Sequence, residues 1–310
     1  MSASRRVVAA GIGGPEQLRV EEVATPHPDA GQVRVSVRAA GVNAYDAKVY
    51  AAGDPSRLPI RLGYEAAGVV SAVGEDVTVW AVGDEVVAFR ASGAYATDLV
   101  VDEAALTAKP GSLGWAEAGG LMLTGAAAWH TLEATGVAEG DTVLVHGSTG
   151  GVGLSAVQLA RIRGARVIAT AHPRNHDLLR ELGVEPVAYG EGLLERVRAL
   201  VPEGVDAAVD LVGTDEAMDV SLALVADRDR IATIANFDRA PREGVRLLGN
   251  GPGADPGTEV RDAARAQLAR LAGSGELRVV VAATYPLDAA ADAHRQIATG
   301  HTTGKLVLLP

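Results

Sequence analysis

The spacing of hydrophobic positions along the chain changes at about residue 115. Before that point, short runs alternate apolar and polar residues, which is typical of strands with one buried face. These runs are Leu18–Val23, Gln32–Ala39, Gly68–Val73, Glu85–Phe89 and Ala96–Val101. Because clusters of turn residues separate them, the pattern from Arg5 to about Val101 predicts a compact, barrel-like β domain.

Helical spacing follows over Trp115–Leu123 and Gly125–Glu133, and strand and helix runs then alternate. The alternating units are 142–147, 150–163, 166–171, 176–182, 193–200, 206–211, 215–225 and 230–235. This rhythm predicts a parallel sheet with helices on both of its faces. The last predicted elements are a linker rich in Gly and Pro (241–258), a helix (259–273) and two strands (277–284 and 305–309).

The segment Asp141–Gly153 gives the strongest functional signal. A buried strand ends in a glycine-rich turn that opens a helix, with the spacing G-x-x-G-x-x-G and Ser148 where the usual fingerprint has its first glycine. The helix N-terminus offers unpaired N–H groups, and the glycines let a phosphate approach the backbone. The pattern therefore predicts a dinucleotide site. Its expected contacts are Ser148, Thr149, Gly150, Gly151 and Val152.

Composition narrows the class of protein. A length of 310 residues suits about two domains. With no cysteine in the chain, disulfides, thiolate catalysis and cysteine-ligated metals are excluded, and the net charge of −11 argues against a nucleic-acid surface. No apolar run is long enough to span a bilayer, and the opening arginines with a short apolar run are interpreted as a first strand rather than a signal peptide. We expect a cytoplasmic protein with a small-molecule substrate and with no nucleic-acid or membrane partner.

Short motifs recur along the whole chain in a characteristic order. They are Gly41-Val-Asn-Ala-Tyr-Asp46 with Lys48, Gly63-Tyr-Glu-Ala-Ala-Gly68, Val82-Gly-Asp-Glu-Val86, the Gly-Gly-Val-Gly turn, Tyr285-Pro-Leu-Asp288, Ala293-His294 and Gly304-Lys-Leu-Val307. In this order they resemble the medium-chain dehydrogenases/reductases, in the zinc-independent quinone oxidoreductase (zeta-crystallin-like) branch. The resemblance implies an α/β protein with a GroES-like β-barrel catalytic domain (1–120 and 253–310). It also implies a Rossmann domain with a doubly wound parallel sheet (121–252), and a cofactor in the cleft between the two domains.

The resemblance also bears on the metal. Zinc-dependent relatives have a cysteine in the first motif and Gly-His-Glu in the second, whereas this chain has Asn43 and Tyr64 there. Asn and Tyr are poor zinc ligands, and the seven histidines show no ligand spacing. We therefore expect an enzyme without a metal, in which Glu65 is a structural hydrogen-bonding residue.

The residues after the second strand of the α/β region indicate which dinucleotide binds. A site for NAD places Asp or Glu there, about 20 residues past the glycines, but Thr170–His176 contains no acid. Arg174 offers a planar fork for a 2′-phosphate, and His172, where the family usually has serine, is a second possible donor. Tyr189 stands where the resembling family has a tyrosine that contacts the same phosphate. The prediction is NADPH, and the alternative is that Arg174 and His172 are only solvated loop residues.

Other site residues come from motif position. The resemblance implies that Asn43 lies beside the nicotinamide ribose, and Asp46 is expected to order the helix start after it. Tyr45, Tyr50 and Tyr64 are candidates to hydrogen-bond a substrate carbonyl, and Tyr64 either polarises that carbonyl or fills space. Further cofactor contacts are expected at Thr170, Val212 and Lys305. The chain has only three lysines, so Lys48 and Lys305 indicate a need for a compact ammonium, either in a salt bridge or in the site.

The expected function is NADPH-dependent, zinc-free hydride transfer to a quinone or an α,β-unsaturated carbonyl compound. The alternative is a non-catalytic NADPH-binding protein of the same fold with a structural or regulatory role. A homodimer is also expected, because relatives pair through an edge strand and the last strand predicted for the α/β region, Ile231–Ala235, is apolar.

Overall fold

A computed structural model describes residues 3–310 of the chain. Contacts divide these residues into two compact units. Unit 1 contains the described residues up to Leu123 together with Ala266–Gly275 and Val279–Pro310, and unit 2 contains Thr124–Arg265 with Glu276–Arg278. Met1 and Ser2, which belong to the opening run interpreted as a strand, lie outside the described residues.

Sixteen strands and ten α-helices make up the described part of the chain. The strands are β1 (Ala3–Ala9), β2 (Leu18–Ala24), β3 (Gln32–Val42), β4 (Ile60–Arg61), β5 (Glu65–Val73), β6 (Glu85–Phe89), β7 (Asp98–Asp102), β8 (Leu106–Ala108), β9 (Thr142–His146), β10 (Arg166–Ala171), β11 (Glu185–Ala188), β12 (Ala207–Asp210), β13 (Ile231–Thr233), β14 (Arg246–Leu247), β15 (Val281–Pro286) and β16 (Lys305–Leu309). The helices are α1 (Ala44–Ala51), α2 (Trp115–Gly119), α3 (Met122–Ala134), α4 (Gly151–Ile162), α5 (His176–Glu181), α6 (Leu193–Leu200), α7 (Asp215–Leu224), α8 (Ala240–Glu243), α9 (Thr258–Gly273) and α10 (Ala290–Ala298).

Unit 1 is built on two sheets whose strands are antiparallel except for the parallel pair β15 and β16. Its larger sheet has the order β15-β16-β3-β5-β6-β8, with β7 paired to β3, and β2-β1-β4 form a second sheet. The long strand β3 follows the expected alternation, since Val33, Val35 and Val37 are buried while Arg34 and Ser36 are partly exposed. The C-terminal strand β16 pairs with the end of β3, which brings Leu306 opposite Val42. Residues far apart in sequence therefore meet where β3 gives way to α1.

Unit 2 is a parallel sheet of six strands in the order β11-β10-β9-β12-β13-β14. Numbered along the chain from β9, these strands have the order 3-2-1-4-5-6, which is the doubly wound Rossmann order. The central strand β9 is apolar and fully buried at Val143, Leu144 and Val145, as the hydrophobic run predicted. The expected fold class, a GroES-like β domain with a doubly wound α/β domain, is confirmed.

Several expectations about individual elements are wrong. The linker over 241–258 contains α8 and β14, and the sequence patterns predicted neither β11 nor α10. The apolar strand β13 is not at the edge of its sheet, because β14 pairs with it in parallel. The edge is instead the two-residue strand β14, whose Arg246 is exposed. Within residues 3–310, the longest apolar helical stretches fall short of what crossing a membrane requires.

Candidate functional site

The glycine turn of unit 2 connects β9 to α4 at the carboxyl edge of the sheet. Strand order reverses between β9 and β12, and such switch points are where α/β sheets bind ligands. Gly147 has φ +70°, which favours glycine, and a Cβ at Gly153 would collide with the carbonyl oxygen of Gly147. At Gly150 the nearest atom to an added Cβ is 3.8 Å away, so this side of the turn is open. The turn is closely packed at Gly153 and accessible at Gly150.

Two predicted contacts, Ser148 and Thr170, hold the turn against β10. The Ser148 N–H and hydroxyl both donate to the Thr170 carbonyl oxygen, at 3.3 and 2.8 Å. The Gly147 N–H donates to the Thr170 hydroxyl at 3.3 Å. Ser148 is fully buried and Thr170 nearly so. Their hydrogen bonds fix the shape of the turn, whereas Thr149 and the residues up to Val152 are partly exposed.

The first turn of α4 fits an anionic group. Its N-cap, Gly150, has no side chain to cap the helix, and no acidic residue lies in the first turn. The free N–H groups of a helix start and the positive end of its dipole favour a phosphate. With the open face at Gly150, the donor set suits the pyrophosphate of a dinucleotide.

The remaining predicted cofactor residues of unit 2 follow the carboxyl ends of neighbouring parallel strands. His172 and Arg174 follow β10, and both are exposed. Nδ1 of His172 accepts a hydrogen bond from the Arg174 N–H at 3.2 Å, which caps the short turn between them. Tyr189 follows β11 with 54% of its surface exposed, and Val212 follows β12 with 49% exposed. The structure therefore brings these four residues to the same sheet edge as the glycine turn.

Asp210, which the sequence analysis did not select, shapes the loop that carries Val212. This buried carboxylate accepts from the N–H groups of Val212 and Gly213, at 3.0 and 2.8 Å. Its second oxygen accepts from the Thr233 hydroxyl at 2.8 Å. The loop after β12 is thus anchored to β13.

In unit 1, the end of β3 holds a buried polar cluster of Asn43, Glu65 and Lys305. The Lys305 ammonium donates to Glu65 Oε1 at 2.9 Å, to the Val42 carbonyl at 3.2 Å and to Asn43 Oδ1 at 2.5 Å. These three acceptors match the three N–H bonds of an ammonium group. Glu65 has no exposed surface and Lys305 has 4%. Lys305 therefore forms a buried salt bridge, and its donors are all used inside unit 1.

The same cluster fixes the Asn43 amide. Nδ2 donates to Glu65 Oε1 at 3.1 Å and to the Gly41 carbonyl at 3.2 Å, while the other Glu65 oxygen accepts from the Leu123 N–H at 2.8 Å. Both Asn43 amide protons are used, and its Oδ1 accepts from the Lys305 ammonium, so the amide is held in one orientation.

Glycines surround this cluster closely. A Cβ at Gly41 would collide with a Glu65 carboxylate oxygen, and one at Gly120 would stand 3.2 Å from Lys305 Cε. The backbone therefore packs so closely around the ion pair that glycine is needed at Gly41 and favoured at Gly120.

Asp46 begins a second buried chain of polar groups. One oxygen, Oδ2, accepts from the Asn43 N–H at 3.0 Å and from the Tyr95 hydroxyl at 2.9 Å. The Tyr95 hydroxyl contacts His294 Nε2 at 3.2 Å, and Nδ1 of His294 contacts the Tyr50 hydroxyl at 2.9 Å. As expected, Asp46 caps the start of α1. Tyr50 has only 1% of its surface exposed, so its hydroxyl lies in the core with His294.

Burial dominates the protonation of this chain. It raises the pKa of Asp46 to about 6, although the hydrogen bonds from Tyr95 and Asn43 act in the opposite direction. Burial lowers the pKa of His294 to about 4 and raises the pKa of Tyr50 to about 12. At neutral pH the chain therefore holds a carboxylate, a neutral imidazole and neutral phenols.

Tyr64 lies apart from that chain and is half-buried. Its ring packs edge-to-face against Tyr45, with ring centres 5.3 Å apart, and against Phe89 at 5.9 Å. Tyr45 has 37% of its surface exposed, and Lys48 is exposed on the same helix. Of the three tyrosines predicted to meet a substrate carbonyl, Tyr45 and Tyr64 retain exposed surface and Tyr50 does not.

No sequence pattern pointed to Tyr95, and His294 stood out only within the motif Ala293-His294. Glu65 was expected to be a hydrogen-bonding residue, and it is the centre of the buried cluster. Among residues 3–310, no group of three or more His, Cys, Asp or Glu side chains is arranged to hold a metal ion.

Two protein families match parts of the chain. Residues 29–111 match the alcohol dehydrogenase GroES-like domain, and residues 182–308 match the zinc-binding dehydrogenase family. The chain is 34% identical to a quinone oxidoreductase of Pseudomonas aeruginosa, over 99% of this chain and 100% of that protein.

Part of a much longer protein is equally similar. The chain is 35% identical to the spectinabilin polyketide synthase system protein NorB of Streptomyces orinoci over 99% of its own length, but it spans 14% of that protein. It likewise spans 15% of the phthioceranic/hydroxyphthioceranic acid synthase of Mycobacterium tuberculosis. Among solved structures, Escherichia coli quinone oxidoreductase complexed with NADPH superposes with a TM-score of 0.87 and 28% identity, covering 99% of this chain and 100% of that one.

Proposed function

The chain belongs to the quinone oxidoreductase family of medium-chain dehydrogenases/reductases, and on that premise we propose that it is an NADPH-dependent, zinc-independent reductase of quinones or α,β-unsaturated carbonyl compounds. The observation that carries this proposal is the glycine turn at the switch point of unit 2. Its open face at Gly150 and the uncapped start of α4 suit a dinucleotide pyrophosphate.

The residues beside that turn favour NADPH over NADH. The exposed guanidinium of Arg174 follows β10, and no carboxylate stands there to accept from a ribose 2′-hydroxyl. Tyr189, exposed after the adjacent strand, is a second partner for the 2′-phosphate. The similar quinone oxidoreductase of Escherichia coli is complexed with NADPH, which supports this choice.

We assign Asn43 to the nicotinamide ribose, because the position matches the family motif and the buried ion pair fixes its amide. Lys305 is assigned a supporting role instead of a cofactor contact, since its three donors are bound to Val42, Asn43 and Glu65. In this proposal the ion pair holds the Asn43 amide in one orientation.

Independence from zinc follows from the donor set. Asn43 and Tyr64 replace the two ligands of zinc-dependent relatives, and Glu65 is already neutralised by the Lys305 ammonium. A divalent cation at this point would have to displace a buried, fully bonded ammonium. Zinc is therefore not part of the proposed chemistry.

The substrate class follows from what the side chains can stabilise. When bound, NADPH supplies the hydride. The protein then needs a donor for the carbonyl oxygen on which charge develops, and the half-buried Tyr64 is our candidate for that donor. Oxidation of a simple alcohol would need a Lewis acid or a base of matched pKa, and the imidazole of His294 is fully buried and bonded to Tyr95 and Tyr50. Reduction of a quinone or a conjugated alkene needs only a hydrogen-bond donor to the oxygen on which charge develops.

The test measures consumption of NADPH by the purified protein with a panel of quinones, enones and enoyl thioesters. NADH in place of NADPH, and simple alcohols with NADP⁺, are measured in parallel. We expect turnover of at least one quinone or conjugated alkene with NADPH. NADPH binding without turnover of any acceptor would favour the non-catalytic alternative, and oxidation of alcohols alone would refute the assignment.

A further inference from the structure

Four buried side chains from separate parts of unit 1 form one continuous hydrogen-bonded chain. Asp46 lies in the first turn of α1 and Tyr50 in its last turn. His294 lies on α10, and Tyr95 lies between β6 and β7. The contacts are Tyr50 to His294 Nδ1 at 2.9 Å, His294 Nε2 to Tyr95 at 3.2 Å, and Tyr95 to Asp46 Oδ2 at 2.9 Å. None of the four side chains is more than 2% exposed.

The direction of every bond follows from the carboxylate. An ionised Asp46 can only accept, so the Tyr95 hydroxyl donates to it. The Tyr95 oxygen then accepts from His294, which must carry its proton on Nε2. Because a neutral imidazole has one N–H, Nδ1 of His294 accepts from the Tyr50 hydroxyl. All donors therefore point toward Asp46, whose Oδ2 also holds the Asn43 N–H.

We propose that His294 is a positioning residue for Asn43, acting through the hydroxyl of Tyr95 and the carboxylate of Asp46. A hydroxyl that receives a hydrogen bond is a stronger donor, so the His294 N–H strengthens the bond from Tyr95 to Asp46. That carboxylate fixes the Asn43 peptide and the start of α1. The proposal rests on the proposed function in one respect, that Asn43 lies beside the cofactor.

Protonation of Asp46 would reverse the donor and acceptor roles along these hydrogen bonds. A protonated carboxyl can donate to Tyr95, which would turn its hydroxyl toward His294 and demand the other tautomer. The ionisable groups facing Asp46 are Tyr95, Lys305 on β16 and Glu65 on β5, with His294 of α10 and Tyr50 one step further along the chain. The pKa of Asp46 is about 6, with burial raising it and Tyr95, Asn43 and Lys305 lowering it. Activity should therefore fall as the pH drops through about 6.

Two substitutions of His294 separate the roles of its two ring nitrogens. His294→Gln keeps a donor near the position of Nε2 and loses the acceptor for Tyr50. His294→Asn keeps an acceptor near the position of Nδ1 and loses the donor to Tyr95. We expect His294→Asn to lower kcat about tenfold, as loss of a hydrogen bond linked to a charged group does, whereas His294→Gln stays within about twofold of the parent protein.

The pH profile supplies a readout that packing alone would not move. Tyr95→Phe removes a bond that lowers the pKa of Asp46, so the acid limb of kcat should shift to higher pH by about one unit. His294→Asn should shift it in the same direction by about half a unit, since it weakens that bond without removing it. Tyr285→Phe is the matched control, because it removes a tyrosine hydroxyl bonded to Gln296 on the same helix without touching the chain.

NMR titration of the aspartate carboxyl carbons measures Asp46 directly and needs no turnover. If His294→Asn and His294→Gln change kcat and the Asp46 titration alike, or if Tyr95→Phe leaves that titration unchanged, the proposal is refuted. If the parent protein turns over no acceptor, the proposed function fails, while the titration still decides whether His294 and Tyr95 control Asp46. Should His294→Asn not fold, His294→Gln and Tyr95→Phe still decide: the proposal expects only Tyr95→Phe to raise the Asp46 pKa, and an equal rise in His294→Gln would refute it.

Discussion

Replacing Lys305 with methionine tests the buried ion pair of unit 1. Methionine is unbranched and fills much of the space of the lysine stem that Gly120 faces. The main loss is therefore the charge, which leaves the Glu65 carboxyl with no exposed surface and without its counter-charge. Removing one partner of a buried pair costs about 3–5 kcal/mol, because the other charge stays buried. We expect Lys305→Met to lower the free energy of unfolding by about that amount.

Urea unfolding followed by circular dichroism gives the measurement, with the change read from the transition midpoint. The double variant Lys305→Met/Glu65→Gln removes the stranded charge, so it should recover about 1–3 kcal/mol relative to the sum of the single changes. Lys109→Met is the matched control. Lys109 is equally buried, but its partner Glu85 has a side chain that is 48% exposed, so the expected cost is about 1 kcal/mol or less.

Two outcomes would refute this reasoning. One is a cost for Lys305→Met no larger than that for Lys109→Met. The other is simple addition of the single costs in the double variant, which would mean that Lys305 and Glu65 do not interact. Measuring NADPH affinity in the same variants separates a supporting role from a direct cofactor contact. A direct contact would weaken NADPH binding while leaving the unfolding transition in place.

Four further predictions concern cofactor, metal, substrate and assembly. Arg174→Ala should weaken NADPH binding at least about tenfold and leave NADH binding nearly unchanged by calorimetry, since a charge-assisted bond contributes about 1.5–3 kcal/mol; equal losses for both cofactors would contradict the assignment. Elemental analysis should find no stoichiometric zinc and chelators should not affect turnover, whereas about one zinc per chain would overturn this view. Tyr64→Phe should lower turnover of enones with little change in NADPH affinity, and an unchanged rate would remove Tyr64 from the site. Light scattering at micromolar concentration should show a dimer, which we propose forms along the edge strand β14, and a monomeric mass would count against it.

Much of the fold could be predicted because its signals are local. Strands β6 and β10 and helix α6 match the predicted ranges at both ends, since each is a short run of regular periodicity between turn residues. Strand β11 was missed because it has only four residues and contains Pro186, which suits an edge strand but interrupts a strand pattern. Strand β14 has two residues inside a segment rich in Gly and Pro, so composition concealed it.

In the candidate site too, features contiguous in sequence could be predicted, and contacts between distant residues could not. The glycine turn could be found because strand, turn and helix start are contiguous in sequence. The partners of Lys305 could not, because Glu65 lies 240 positions away and the pairing depends on β16 meeting the end of β3. Tyr50 and His294 are 244 positions apart, so only the fold reveals that this tyrosine is buried against a histidine.

The glycines that enclose the ion pair limit how this part of the protein can evolve. Gly41 leaves no room beside the Glu65 carboxylate, and Gly120 leaves little beside the Lys305 stem. Arginine at position 305 would be too bulky for that space, and a side chain at either glycine would push the charged groups apart. A neutral partner at position 65 or 305 alone would leave the other charge stranded. We therefore expect a change at any one of positions 41, 65, 120 and 305 to weaken the ion pair, so that substitutions at these positions are best tolerated in combination.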